Sequence, residues 1–134
     1  MKHPFLLTYQ LLIGISDTLT GALLIVAPEL TLHLMRLHAP AESLPFVSFI
    51  GAFVFAVGLS CLYGAYVTSL RPCASKVEVV WLVTALVRSS VAIFVLVSVM
   101  TGVLEAGWLT VAFSDGACVV IQATGLRRGW LRNV

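Results

Sequence analysis

Three charged residues, Asp17, Arg88 and Asp115, interrupt stretches of sequence that are otherwise almost wholly apolar. An ionised side chain left in hydrocarbon costs about 2.5–3.5 kcal/mol even on insertion scales, so each should face a protein interior and find a partner. Asp17 lies 12 residues beyond Phe5, Arg88 11 beyond Val77, and Asp115 11 before Leu126. At about 1.5 Å per helical residue, all three sit roughly 16–18 Å from one end of their helices. The expected arrangement is Arg88 between two carboxylates. Two aspartates and one arginine leave one negative charge if all are ionised. One carboxylate then pairs with the guanidinium, and the other holds a proton or faces a cation. That asymmetry suits a proton-coupled carrier, and it equally suits a structural clamp.

Neighbouring polar residues extend the same faces. Gln10, Gly14, Asp17, Thr18 and Gly21 share a stripe at helical spacing, as do Trp81, Thr84 and Arg88, and Asp115, Cys118 and Gln122. Together they define a polar seam with Glu78 near its mouth. Other chemistry is poorly supported. His33 and His38 are five apart and fall on different helical faces, so they do not converge as metal ligands. Cys61, Cys73 and Cys118 form no C-x-x-C pair and are odd in number, which argues against a disulfide framework. Ser89 and Ser90 are expected to bond back to their own helix. Neither a catalytic set nor a metal site is assigned, and the cofactor is left unknown.

The elements that position these residues follow from composition. Of 134 residues, 60% are hydrophobic and 10% charged, against roughly 45–50% and about 25% in ordinary soluble domains. The apolar residues form four runs, at about 5–27, 44–70, 77–104 and 108–126, each long enough to cross a hydrocarbon core of about 30 Å. The first run exceeds the apolar region of a signal peptide, about 7–15 residues, and no small-x-small site closes it. The fold class is therefore all-α, a transmembrane four-helix bundle forming a single membrane domain over 1–134. Pro28-Glu29 ends the first span. Leu30, Leu34 and Leu37 then suggest a short interfacial helix with its leucines on one face, although Leu32 and Met35 interrupt that face. Arg71 to Lys76 reads as a polar turn, and Glu105-Ala106-Gly107 is so short that the last two helices must be antiparallel neighbours.

Lys2, Arg71, Lys76, Arg127, Arg128 and Arg132 fall on one side of a four-span chain and Arg36 alone on the other. This bias places both termini in the cytoplasm. Tyr9, Tyr63, Tyr66, Trp81 and Trp130 read as an aromatic belt toward the basic side, with Phe46 and Trp108 at the opposite interface. A net charge of +2 gives no reason to expect nucleic acid. Gly14, Thr18, Gly21, Gly51, Gly58, Ala112 and Gly116 are the small residues expected where helices meet. The partners implied are the lipid bilayer and other membrane subunits or further copies of the chain.

The run from Gly21 to Pro28, the leucine-rich segment after it, and Gly51-Ala-Phe-Val-Phe-Ala-Val-Gly58-Leu59 resemble the opening half of small four-helix bacterial membrane proteins of the DoxX-like type. The resemblance covers the first half of the chain and implies a four-helix bundle in a bacterial inner membrane. Some members of that group are associated with quinone-linked oxidoreductase systems, so a quinone-linked redox subunit is one implied function; no functional residue carries over. Small multidrug transporters also have four helices and an acidic residue in the first, a part Asp17 could take. This sequence departs from them in carrying Arg88 and Asp115 within the membrane and in a basic bias that fixes one orientation. The readings that remain are an accessory subunit or interaction partner in a membrane assembly, a proton- or cation-coupled carrier, and the redox subunit.

Overall fold

A computed structural model describes residues 2–70 and 73–132. The terminal residues Met1 and Val134, the turn residues Arg71 and Pro72, and the Lys2 side chain, all used in reading the topology, lie outside the described residues. The described chain is all-α, and the order is α1 (Lys2–Val26), α2 (Pro28–Leu34), α3 (Leu44–Leu70), α4 (Ala74–Met100) and α5 (Leu109–Arg127). Single 3₁₀ turns, Ala41–Ser43 and Ala106–Trp108, lead into α3 and α5.

Four helices are long and apolar enough to cross a membrane: Pro4–Val26, Ala41–Leu70, Ala74–Met100 and Ala106–Arg127. In the most apolar window of each, only 22% of the residues are buried. Helices hydrophobic on every side need either a large protein core or a membrane around them, and here Leu12, Leu19, Phe49, Leu86, Phe94 and Val120 all stand exposed. The solvent for these faces is lipid, and the chain is an integral membrane protein.

The chain divides into two compact units, Met1–Arg71 and Pro72–Val134. Within the first, α1 and α3 form an antiparallel hairpin. Gln10 meets Thr68, Gly14 faces Leu62, Thr18 faces Gly58 and Gly21 faces Phe55, so partner numbers fall along α3 as they rise along α1. A Cβ on Gly21 would lie 2.6 Å from Phe55 Cα, and one on Gly58 would lie 2.9 Å from Thr18 Cα. Only glycine permits this backbone-to-backbone approach, which gains packing contacts where lipid supplies no hydrophobic drive.

In the second unit α4 and α5 are also antiparallel, with Trp81 against Gly125, Thr84 bonded to Gln122 and Arg88 to Asp115. Here the contacts are made by long side chains. A Cβ at Gly125 would lie 2.5 Å from Trp81 Cζ3, whereas one at Gly116 would meet no atom within 4 Å. Gly116 is therefore not at the close contact expected of it. Trp81, 1% exposed, is not a belt residue but the core of this hairpin, and Tyr9 is likewise buried. Tyr63, Tyr66 and Phe46 are exposed, as belt residues should be.

Three helix ends share one device, the Schellman motif, in which a residue with positive φ turns the chain back onto the last carbonyls. After α2, Leu37 N–H donates to Leu32 O (2.8 Å) and Arg36 N–H to His33 O (3.0 Å). After α4, Val103 and Gly102 bond in the same way to Ser98 and Val99, and after α5, Trp130 and Gly129 bond to Gly125 and Leu126. Gly102 ends the third span at Met100 rather than Leu104. That span begins at Ala74 rather than Val77, because Cys73 is the extended residue before the helix and Ser75 and Lys76 are polar but helical. The short helix α2 is present, with Leu30 and Leu34 exposed, as the lipid-facing side of an interfacial helix is, and with Thr31, Leu32 and Leu37 buried. The turn at Arg36 takes Leu37 off the helical repeat and packs it inward.

Candidate functional site

The best-defined polar site is in the second hairpin. The spacing from Trp81 through Thr84 to Arg88 keeps all three on one face of α4, and all are buried. Across from them α5 presents Asp115, Cys118 and Gln122, also at helical spacing. Arg88 Nη1 donates to Asp115 Oδ1 at 2.5 Å, and the two side chains are 7% and 15% exposed. Charge-assisted bonds of this kind are roughly twice as strong as neutral ones. Within a membrane the pair also removes the cost of two isolated ions.

About one helical turn closer to the start of α4 lies a second, neutral pair. Gln122 Nε2 donates to Thr84 Oγ1 at 2.8 Å, and Thr84 Oγ1 donates in turn to Val80 O at 2.7 Å. The same chain of bonds occurs in the first hairpin: Gln10 Nε2 donates to Thr68 Oγ1 at 3.0 Å, and Thr68 Oγ1 to Gly64 O at 2.8 Å. The threonine hydroxyl returns its proton to its own helix, which frees its lone pairs to accept from the glutamine across the hairpin. Both glutamines are 1% exposed. Each has a buried Oε1 without a hydrogen-bond partner among the described residues.

The residues singled out in the sequence are thus placed as follows. Arg88 and Asp115 meet directly; Gln122 meets Thr84 beside them; Gln10 lies in the first hairpin with Thr68. Asp17 is half-buried on α1, between the Gly14 and Gly21 contact levels. Glu78 is exposed near the start of α4 and takes no part in the paired seam. Thr68 is the polar partner that sequence reading missed. Its signal was the face Gly64-Ala65-Thr68, small residues at helical spacing near the end of a span, opposite the register of Gln10.

The weaker candidates fall into ordinary roles. Ser89 and Ser90 donate to Ala85 O and Leu86 O of their own helix. Cys61 and Cys118 are buried, and among the described residues no cysteine is in a disulfide. Cys73, outside the spans, lies 3.4 Å from Ser75 Oγ. That hydroxyl and the Lys76 backbone N–H hold its thiol below the usual cysteine range. His33 and His38 are exposed, and among the described residues no three His, Cys, Asp or Glu side chains come together as metal ligands. Comparisons with known proteins found no matching family model, no matching curated relative and no matching solved structure.

Proposed function

We propose that this chain is a bacterial inner-membrane protein, with both termini in the cytoplasm, that works by association as an accessory subunit or interaction partner in a larger membrane assembly. The observation that carries this reading is the pairing of polar side chains across each hairpin. Arg88 is bonded to Asp115, Gln122 to Thr84 and Gln10 to Thr68. These bonds hold helices to each other, and large apolar side chains such as Leu12, Phe49, Leu86 and Val120 are left exposed. Gly116, with open space where its side chain would be, offers another helix a point of close approach. The DoxX-like resemblance is compatible with such a role and supplies no residue to it.

The test is isolation of the protein in native lipid particles followed by native mass spectrometry. The expected result is a complex of fixed stoichiometry, with itself or with another membrane protein. Monomers alone, both in native lipid and in mild detergent, would overturn the proposal. One observation favours a carrier instead: an ion pair at mid-span is the kind of group that transporters use. Proton flux into reconstituted vesicles, lost in a folded Asp115→Asn variant, would replace association with transport.

A further inference from the structure

The basic stretch after the last span is folded, and this gives it a shape that a loose tail would lack. Gly129 takes φ +63°, and the bonds from Trp130 N–H to Gly125 O and from Gly129 N–H to Leu126 O reverse the chain at the end of α5. Trp130 lies against Gly125, where an added Cβ would come within 3.0 Å of its ring, and Leu131 is 1% exposed. The chain is thereby pinned at two successive residues. Arg127, Arg128 and Arg132 project from the pinned turn and all three are exposed. The Arg132 stem passes over Gly129, with Cδ 3.0 Å from where a Cβ would be.

The antiparallel register that sets Trp81 against Gly125 brings the start of α4 to the same end of this hairpin. Lys76 is exposed there, and Glu78 is the one carboxylate near it among the described residues of the hairpin. Three guanidinium groups and an ammonium against one carboxylate thus border the ends of two membrane spans. Guanidinium forks match phosphate oxygens two at a time. Basic clusters next to a span draw anionic lipids, at about fivefold in affinity per Lys or Arg.

We propose that the turn Arg127–Arg132 is a binding site for the phosphate headgroups of anionic lipids, with Arg127, Arg128 and Arg132 as its ligands and Gly129, Trp130 and Leu131 as the frame that fixes them. The full-length chain is purified in mixed micelles of phosphatidylglycerol and phosphatidylcholine, and the lipid it retains is read by native mass spectrometry. Wild type should retain phosphatidylglycerol selectively, and 0.5 M salt should weaken that selectivity. Arg128→Gln should lower it about fivefold and the triple Arg127→Gln, Arg128→Gln, Arg132→Gln variant should abolish it. Arg36→Gln, in the turn after α2 of the other hairpin, should leave it unchanged. Gly129→Val keeps every charge but denies the turn its positive φ, and it should weaken selectivity as well. Wild-type retention by the triple variant would overturn the proposal. Full retention by Gly129→Val would also overturn it, since any charged tail would then suffice. Displacement of the lipid by inorganic phosphate, at the ionic strength of a chloride control, would show a soluble anion to be the ligand instead.

Discussion

In the first hairpin the helices touch through backbone, at Gly21 against Phe55 and at Gly58 against Thr18; in the second they touch through an ion pair, a glutamine–threonine bond and an indole seated on Gly125. Both hairpins contain one buried Gln–Thr bond, so neutral polar pairing is common to them and does not distinguish them. What differs is how close the axes can come. Glycine contacts gain dispersion along the whole crossing and leave little space for a long side chain. The second hairpin keeps its helices far enough apart to hold Trp81 and Arg88. Lipid tails are as apolar as leucine, so neither hairpin can rely on excluding water. One relies on surface match and the other on the expense of leaving polar groups alone.

The sharpest way to break this comparison is to remove the ion from the second hairpin. Arg88→Leu leaves Asp115 without the cation bonded to it, and loss of one partner from a buried pair costs about 3–5 kcal/mol. Arg88→Leu combined with Asp115→Leu should recover most of that loss, because both charges go together. The check is a double-mutant cycle on detergent unfolding. If the two single effects merely add, the pair does not hold the hairpin and the contrast between the hairpins fails.

A smaller effect tests the other side. Gly58→Ala places a methyl group 2.5 Å from Thr18 Oγ1 and 2.9 Å from Thr18 Cα, so α1 and α3 must separate, at a cost of about 1–3 kcal/mol. Gly116→Ala adds the same methyl group into open space and should leave stability unchanged or raise it by up to about 1 kcal/mol, the helix-propensity gain of alanine over glycine. Thermal unfolding of the two variants side by side gives the answer. Helix propensity favours alanine at both positions, so equal losses would mean that the contact at Gly58 does not set the first hairpin apart.

Much of this contrast was legible from residue types. Gly14, Gly21, Gly51 and Gly58 stand at helical spacing, and Asp17, Arg88 and Asp115 stand out because lipid makes charge conspicuous. The span Leu44–Leu70 has the bounds its composition suggested. Pairing and depth were harder. Trp81 looked like an interface residue because tryptophan prefers membrane surfaces, and only the notch at Gly125 showed that it belongs inside. Gly116 looked like the other glycines, although no neighbour approaches it. The ends of α4 went astray because Ser75 and Lys76 are polar without breaking a helix, while Gly102 breaks one inside an apolar run. A composition window responds to polarity, whereas helix ends follow from backbone geometry.

The smallest expected effect concerns those ends, where the two hairpins use the same turn with different residues. The second hairpin places Gly102 and Gly129 at the left-handed position of its Schellman motifs, and the first places Arg36 there, at φ +57°. A left-handed conformation costs an L-residue about 1–2 kcal/mol, and glycine avoids that strain. Glycine also gives the unfolded chain more freedom, which offsets about 0.5–1 kcal/mol of the gain. Arg36→Gly should therefore stabilise the protein by about 0.5 kcal/mol, and Gly102→Arg should destabilise it by a similar or larger amount. The turn itself should persist in both, since Leu37 and Leu32 remain buried on either side of position 36. Thermal unfolding midpoints in one detergent measure both changes. If Arg36→Gly lowers the midpoint instead, the Arg36 side chain holds the turn by a contact worth more than its strain, and the first hairpin depends on a charge after all.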